Sequence, residues 1–142
     1  MRTIKFRGKY TETGEWRYGY YARLSNEFKE WHCIMTEKDA SENYIKDCNG
    51  FHMQYTPVVP STVGQFTGLR DKNGKEIYEG DILKVQGTRG RIEVRFVRGV
   101  FAFLWNGNLD DEAPINAPTQ EWAEVIGNIH DNPKLLNKAK KQ

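Results

Sequence analysis

Apolar and polar residues alternate with a period of two through much of this chain, the pattern of strands that bury one face. Ile4-Lys5-Phe6-Arg7 opens such a strand, and Thr11-Glu12-Thr13-Gly14 has the composition of a turn. Trp16, Tyr18 and Tyr20 then fall on one face, with Arg17, Gly19 and Tyr21 on the other, so the chain is expected to begin with a hairpin. Asn26 to Lys29 reads as a polar turn and Trp31-His32-Cys33-Ile34-Met35 as a third strand. Over residues 36–56 the alternation fades. Ser41-Glu42-Asn43-Tyr44 fits the start of a short helix and Cys48-Asn49-Gly50 fits a turn.

The second half is more regular. Asp71-Lys72-Asn73-Gly74-Lys75 joins a strand around Phe66–Leu69 to one around Glu76–Tyr78, using the Asn-Gly pair favoured in hairpin loops. Glu79-Gly80-Asp81 forms a turn before the strand Ile82-Leu83-Lys84-Val85, and Gly87-Thr88-Arg89-Gly90 turns the chain again. Arg91-Ile92-Glu93-Val94-Arg95-Phe96 alternates, which places Ile92, Val94 and Phe96 inward and the charges outward. After a tight turn at Arg98-Gly99, Val100-Phe101-Ala102-Phe103-Leu104-Trp105 is apolar on both faces and is expected at the centre of a sheet or against a partner. Residues 106–119 form a long acidic loop, Trp122–Ile126 a closing strand, and Asn132-Pro133-Lys134-Leu135-Leu136 a short helix with Asn at its cap.

Short, closely spaced strands joined by tight turns predict an all-β fold with one or two short helices. The expected arrangement is a single domain over residues 1–142. It comprises an N-terminal hairpin region (1–60), a small SH3-like barrel (61–131), and a short helix with a tail (132–142). Composition agrees: aromatics make up 13% of the chain, and a few stiff rings fill a small sheet core efficiently. No apolar run reaches the roughly 20 residues that span a bilayer. The opening residues alternate charge with apolar side chains and lack the hydrophobic block of a secretory signal. Residence in the cytoplasm is therefore expected, with Cys33 and Cys48 as free thiols.

Charge sharpens this picture. The net charge is only +2, but its distribution is uneven. Residues 82–105 carry five basic residues against one acid, and residues 106–131 carry six acids and no Lys or Arg. The last eleven residues are basic again. Separate basic and acidic patches are the expected result.

The stretch Thr62-Val63-Gly64-Gln65-Phe66-Thr67-Gly68-Leu69-Arg70-Asp71-Lys72-Asn73-Gly74-Lys75-Glu76-Ile77-Tyr78-Glu79-Gly80-Asp81-Ile82 resembles the central motif of the YopX family. Arg2-Thr3-Ile4-Lys5-Phe6-Arg7 at the start and Val125-Ile126-Gly127-Asn128-Ile129-His130-Asp131-Asn132-Pro133 at the end match it in the same order. The resemblance implies a β-rich protein encoded by a phage or prophage. It implies no activity, catalytic residue or cofactor. Much of the motif consists of turn residues and strand starts, which report folding before function.

Three constellations bear on chemistry. His32, Cys33, Cys48 and His52 belong to the classes zinc prefers, but His32 and Cys33 are adjacent on a strand and no Cys-x-x-Cys knuckle exists, so no metal or other cofactor is expected. Glu79 and Asp81, or Asp110-Asp111-Glu112, have no nucleophile or His placed beside them by the sequence. There is no P-loop and no dinucleotide fingerprint. These gaps predict a non-enzymatic protein without a small-molecule substrate or a membrane role. Lys84, Arg89, Arg91, Arg95 and Arg98 come from two consecutive strands and their turns, with Phe101, Phe103 and Trp105 following, a composition suited to nucleic acid. The doubly apolar strand and the opposed charge blocks suit protein contacts instead. The leading expectation is an accessory protein that self-assembles or binds a protein partner, and the alternative is a nucleic-acid-binding module.

Overall fold

The computed structural model describes residues 2–37, 44–46, 52–113 and 117–136. The chain is mainly β, with 54% in strands, and it divides into two compact units, residues 1–65 and 66–142.

In the first unit the expected hairpin forms from β1 (Phe6–Lys9) and β2 (Trp16–Ser25). Its turn is closed by Tyr10 N–H to Glu15 O at 2.9 Å and Gly14 N–H to Tyr10 O at 2.8 Å. The polar turn after β2 is built by Asn26, whose Oδ1 accepts from Phe28 N at 2.8 Å and Lys29 N at 2.9 Å. It delivers β3 (Glu30–Glu37), which pairs with β5 (His52–Pro57), and β5 pairs in turn with β4 (Tyr44–Lys46). The order is β4-β5-β3-β2-β1, all antiparallel, and Gly64 and Gln65 at the start of β6 (Gly64–Arg70) pair with Arg7 and Phe6. The helical start expected at Ser41-Glu42-Asn43 and the turn at Cys48-Asn49-Gly50 lie outside the described residues, and Tyr44 belongs to β4. Gly19 on β2 packs tightly against β3. A Cβ there would stand 2.3 Å from the Met35 carbonyl oxygen and 2.9 Å from Thr36 Cγ2.

The second unit begins with the rest of β6 paired to β7 (Glu76–Tyr78), followed by a four-stranded antiparallel sheet. Its strands are β8 (Asp81–Val85), β9 (Arg91–Val97), β10 (Val100–Trp105) and β11 (Ala123–Asn128), in the order β10-β9-β8-β11. One face carries the core: Leu83, Ile92, Val94, Phe103 and Ala123, packed with Ile77. The expected turns are present. Arg98 and Gly99 both take positive φ (51° and 82°), the two-residue hairpin geometry whose twist matches its strands.

Asp71 organises the other hairpin. Its side chain is 1% exposed, and Oδ1 accepts from Asn73 N at 2.8 Å and Lys75 N at 2.9 Å, which shapes the β6–β7 loop. Oδ2 accepts from Val125 N at 2.9 Å, and Lys72 N donates to Ala123 O at 2.9 Å. The loop thus satisfies the free edge of β11. Burial alone would raise the Asp71 pKa. The N–H donors of Val125, Lys75 and Asn73, with the charge of Lys75, outweigh it and hold the carboxyl below its ordinary value.

Four expectations are corrected. The strands form two antiparallel sheets and no closed barrel, because β6 and β7 pair with each other and join neither edge of the four-stranded sheet. β10 is an edge strand, not a central one. The alternation of β9 fails at both kinds of position: Glu93 is buried (3% exposed) beside Arg95, while Phe96 lies past the end of the core and is 47% exposed. Finally, a single-turn helix, α1 (Thr119–Trp122), takes Trp122 from the closing strand. As expected, a short helical turn, the 3-10 helix Pro133–Leu135, has Asn132 at its cap position and Pro133 first; the Asn132 side chain makes no capping hydrogen bond, and its Oδ1 accepts from Asn128 N at 3.3 Å.

Two stability predictions follow from this geometry. Asp71→Asn replaces one acceptor oxygen by an NH2 that faces an N–H donor, and is expected to cost about 2 kcal/mol in urea unfolding at neutral pH. The folded pKa is lowered, so the contribution of Asp71 is complete above the unfolded value of about 3.9 and is lost as pH falls through the folded value. The gap between wild type and variant should therefore shrink below about pH 4; a gap that is constant with pH would show that the charge is irrelevant. Gly19→Ala must push β2 away from Met35 O and is expected to destabilise by about 2 kcal/mol.

Candidate functional site

The sequence nominated five cations on the β8–β9 region, and the structure divides them into two groups. Arg95 and Arg98 are paired. Arg95 makes a bidentate contact with Glu93, Nη2 to Oε1 at 2.7 Å and Nε to Oε2 at 3.1 Å, and reaches Gly107 O at 3.3 Å. The hydrogen bond to Glu93 raises the Arg95 pKa against the opposing effect of burial. Arg98 pairs with Glu112 at 3.0 Å across exposed surface.

Glu112 is held there by the acidic loop, which doubles back along β10. A turn through Asn106 and Gly107, both at positive φ (52° and 75°), reverses the chain. Trp105 N then donates to Asp111 O at 2.9 Å, and Ala113 N to Phe103 O at 2.7 Å. The described part of the loop thereby occupies the free edge of β10, and an acidic segment lies against a basic hairpin of the same molecule. The opposed charge blocks meet within one chain at Arg98 and Glu112.

Lys84, Arg89 and Arg91 form the second group, with no carboxylate partner among the described residues. Lys84 and Arg91 are direct cross-strand neighbours on β8 and β9, an arrangement that costs stability because like charges sit side by side. Glu124 is the register neighbour of Lys84 on β11, but its nearest ion-pair contact is with Lys72 at 3.8 Å.

Arg89 and Arg91 line an open cleft of about 480 Å³, together with Gly90, Asn106, Lys134, Leu135 and Leu136. Its geometry has local causes. A Cβ at Gly90 would lie 2.5 Å from the Trp105 ring, so only glycine lets that indole pack against the start of β9. Asn106 N donates to Arg91 O at 2.7 Å and fixes the loop at the rim. The 3-10 turn Pro133–Leu135 brings in Lys134, which also has no carboxylate partner among the described residues. Among the described residues, the lining offers three cations, one amide and two leucines. Such a surface can hold an anion by charge and hydrogen bonding. Lys134 was missed as a site residue because it lies 43 positions beyond Arg91, and only the return of the chain through β11 brings them together. The basic excess of the last eleven residues was its only trace.

Of the other nominated groups, His32 and Asp81 have structural partners. Cys33 is fully buried, and burial pushes its thiol pKa up; His32 Nδ1 lies 2.5 Å from the Tyr21 hydroxyl. Cys48 lies outside the described residues, and among the described residues no three His, Cys, Asp or Glu side chains gather as metal ligands would. Asp81 is 1% exposed, and its Oδ2 accepts from Tyr78 N at 2.7 Å, shaping the start of β8. Among the described residues no helix is long and apolar enough to cross a membrane.

Comparison with solved structures finds similarity to the crystal structure of protein EF1440 from Enterococcus faecalis. The TM-score is 0.56 at 26% identity, over 96% of this chain and 99% of that one. Comparison with curated proteins finds no match. The YopX protein family matches residues 5–137, a span that includes the β1–β2 hairpin, the Asp71 loop and both strands that carry the cations. With nearly the whole chain matched in this way, the protein belongs to the YopX family.

Proposed function

We propose that this chain is a non-enzymatic, phage- or prophage-associated protein of the bacterial cytoplasm that binds the backbone of a nucleic acid through Arg89, Arg91 and Lys134, with Lys84 beside them. One observation carries the reading: these cations stand together around one cleft without carboxylate partners among the described residues, while their neighbours Arg95 and Arg98 are ion-paired. Cations held close together repel, and a row of phosphates relieves that repulsion while releasing its own counterions.

Self-assembly through protein contacts becomes the second reading. One feature that favoured it, the opposed charge blocks, has an intramolecular counterpart in the Arg98–Glu112 ion pair. It keeps one observation of its own: Phe96 and Val100 at the β9–β10 hairpin tip are 47% and 59% exposed.

The first reading is tested by fluorescence anisotropy of labelled oligothymidylate and of a matching duplex across a salt series. Replacing Arg89, Arg91 and Lys134 together by alanine should weaken binding at least tenfold and flatten the slope of log K against log salt by about two. Arg98→Ala should leave the slope nearly unchanged. Binding that is absent at low salt, or indifferent to salt, would sink the proposal. For the second reading, light scattering should show an oligomer that Phe96→Ser disperses; a wild-type monomer at micromolar concentration rules it out.

A further inference from the structure

The cleft beside Arg91 has a size and a lining that bear on which part of a nucleic acid it receives. Its three cations come from different parts of the second unit: Arg89 from the β8–β9 turn, Arg91 from the start of β9, and Lys134 from the 3-10 turn. Arg89 and Lys134 are exposed and Arg91 is half-buried. Asn106 stands at the rim with its backbone N–H committed to Arg91 O at 2.7 Å, and its exposed side-chain amide makes no hydrogen bond among the described residues. Half-buried Leu135 and buried Leu136 make part of the lining apolar.

A volume of about 480 Å³ lies within the roughly 300–1,000 Å³ of small-ligand sites, which is room for one nucleotide rather than a length of strand. A recess takes a chain end more readily than a chain middle, which must both enter and leave it. Charge points the same way. An internal phosphodiester carries a single negative charge, too little to offset three cations around one opening. A terminal phosphate monoester carries close to two at neutral pH and offers three acceptor oxygens, and arginine meets such oxygens in pairs. The leucines and the Asn106 amide suit the sugar and base that follow the phosphate, whereas an inorganic anion would use neither.

We infer that this cleft seats the phosphorylated end of a nucleic-acid strand, with the terminal phosphate monoester among Arg89, Arg91 and Lys134 and the end nucleotide against Leu135 and Asn106. The inference rests on the reading of the chain as a nucleic-acid binder and deepens it. The cations that meet a backbone also distinguish a phosphorylated end from a hydroxyl end.

The test uses the full chain and fluorescence anisotropy of oligothymidylate ending in a 5′-phosphate, a 3′-phosphate or hydroxyls only, labelled at the end away from the phosphate. At pH 8 a phosphorylated probe should bind about tenfold tighter than the hydroxyl-ended one. At pH 5.5 the monoester, with a second pKa of about 6, loses its second charge, and the ratio should fall severalfold. The hydroxyl-ended strand carries only diesters and controls for titration of the protein. Arg89→Ala/Lys134→Ala alters exposed positions and should keep the wild-type melting temperature while bringing the ratio close to one. Arg98→Ala should leave the ratio at its wild-type value. If phosphorylated and hydroxyl-ended strands bind alike, or the ratio survives in the Arg89/Lys134 variant or is the same at both pH values, the inference is refuted. The proposed function then still stands if the hydroxyl-ended strand loses its salt slope in the Arg89/Arg91/Lys134 variant. If thymidine monophosphate binds as tightly as the phosphorylated strand, the cleft is a free-nucleotide site and the inference is overturned. If no probe shows salt-dependent binding, both fall.

Discussion

A carboxylate withdrawn from water costs several kcal/mol unless the protein replaces the lost hydration with donors. Asp71 receives three backbone N–H groups, from Asn73, Lys75 and Val125, and this set holds the second unit together. Two of the donors belong to its own loop, so the carboxylate sets the shape of the β6–β7 turn. The third belongs to β11, where Val125 sits at an irregularity in the pairing with β8. One side chain therefore couples a local turn to a strand 54 residues away. Thr119, whose Oγ1 donates to Arg70 O at 2.7 Å, ties the approach to β11 to the same corner.

That corner also explains how the four-stranded sheet ends. An open sheet exposes unpaired N–H and C=O groups at both edges and invites pairing with other chains. Here the Asp71-Lys72 segment meets the groups of Ala123 and Val125 on one edge, and residues 111–113 meet those of Phe103 and Trp105 on the other. Both edges are covered by the chain itself. A barrel would achieve the same end by closing the sheet; this unit does it with two loops.

This accounts for which parts of the fold were legible beforehand. Turns carry their instructions locally, so Asn26, Gly74, Arg98-Gly99 and the Asp81 strand start could be read from a few residues each. Strand faces were less legible, because alternation assigns a face without saying what lies over it. Glu93 is buried because Arg95, two positions along the same face, neutralises it, and Phe96 is exposed because the core ends before it. β10 looked central because apolar residues on both faces usually mean two covering layers. Its free edge is instead supplied by the acidic loop, whose Asp110-Asp111-Glu112 composition gave no sign of a role in strand pairing.

The same limit governed the candidate site. Five cations close in sequence suggested one basic face, yet a cation contributes to binding only if the fold leaves its charge unspent. Arg95 and Arg98 satisfy Glu93 and Glu112, which the local sequence could suggest but not establish, since an acid two positions away may lie beside its partner or point into solvent. Arg89 and Arg91 keep their charge available because the acidic loop turns away at Asn106 toward the β10 edge, and the residue that joins them, Lys134, comes from beyond the closing strand. The covered edge and the open cleft are thus two results of one chain path. The loop that spends Glu112 on Arg98 and its backbone on β10 places no carboxylate, among the described residues, against Arg91.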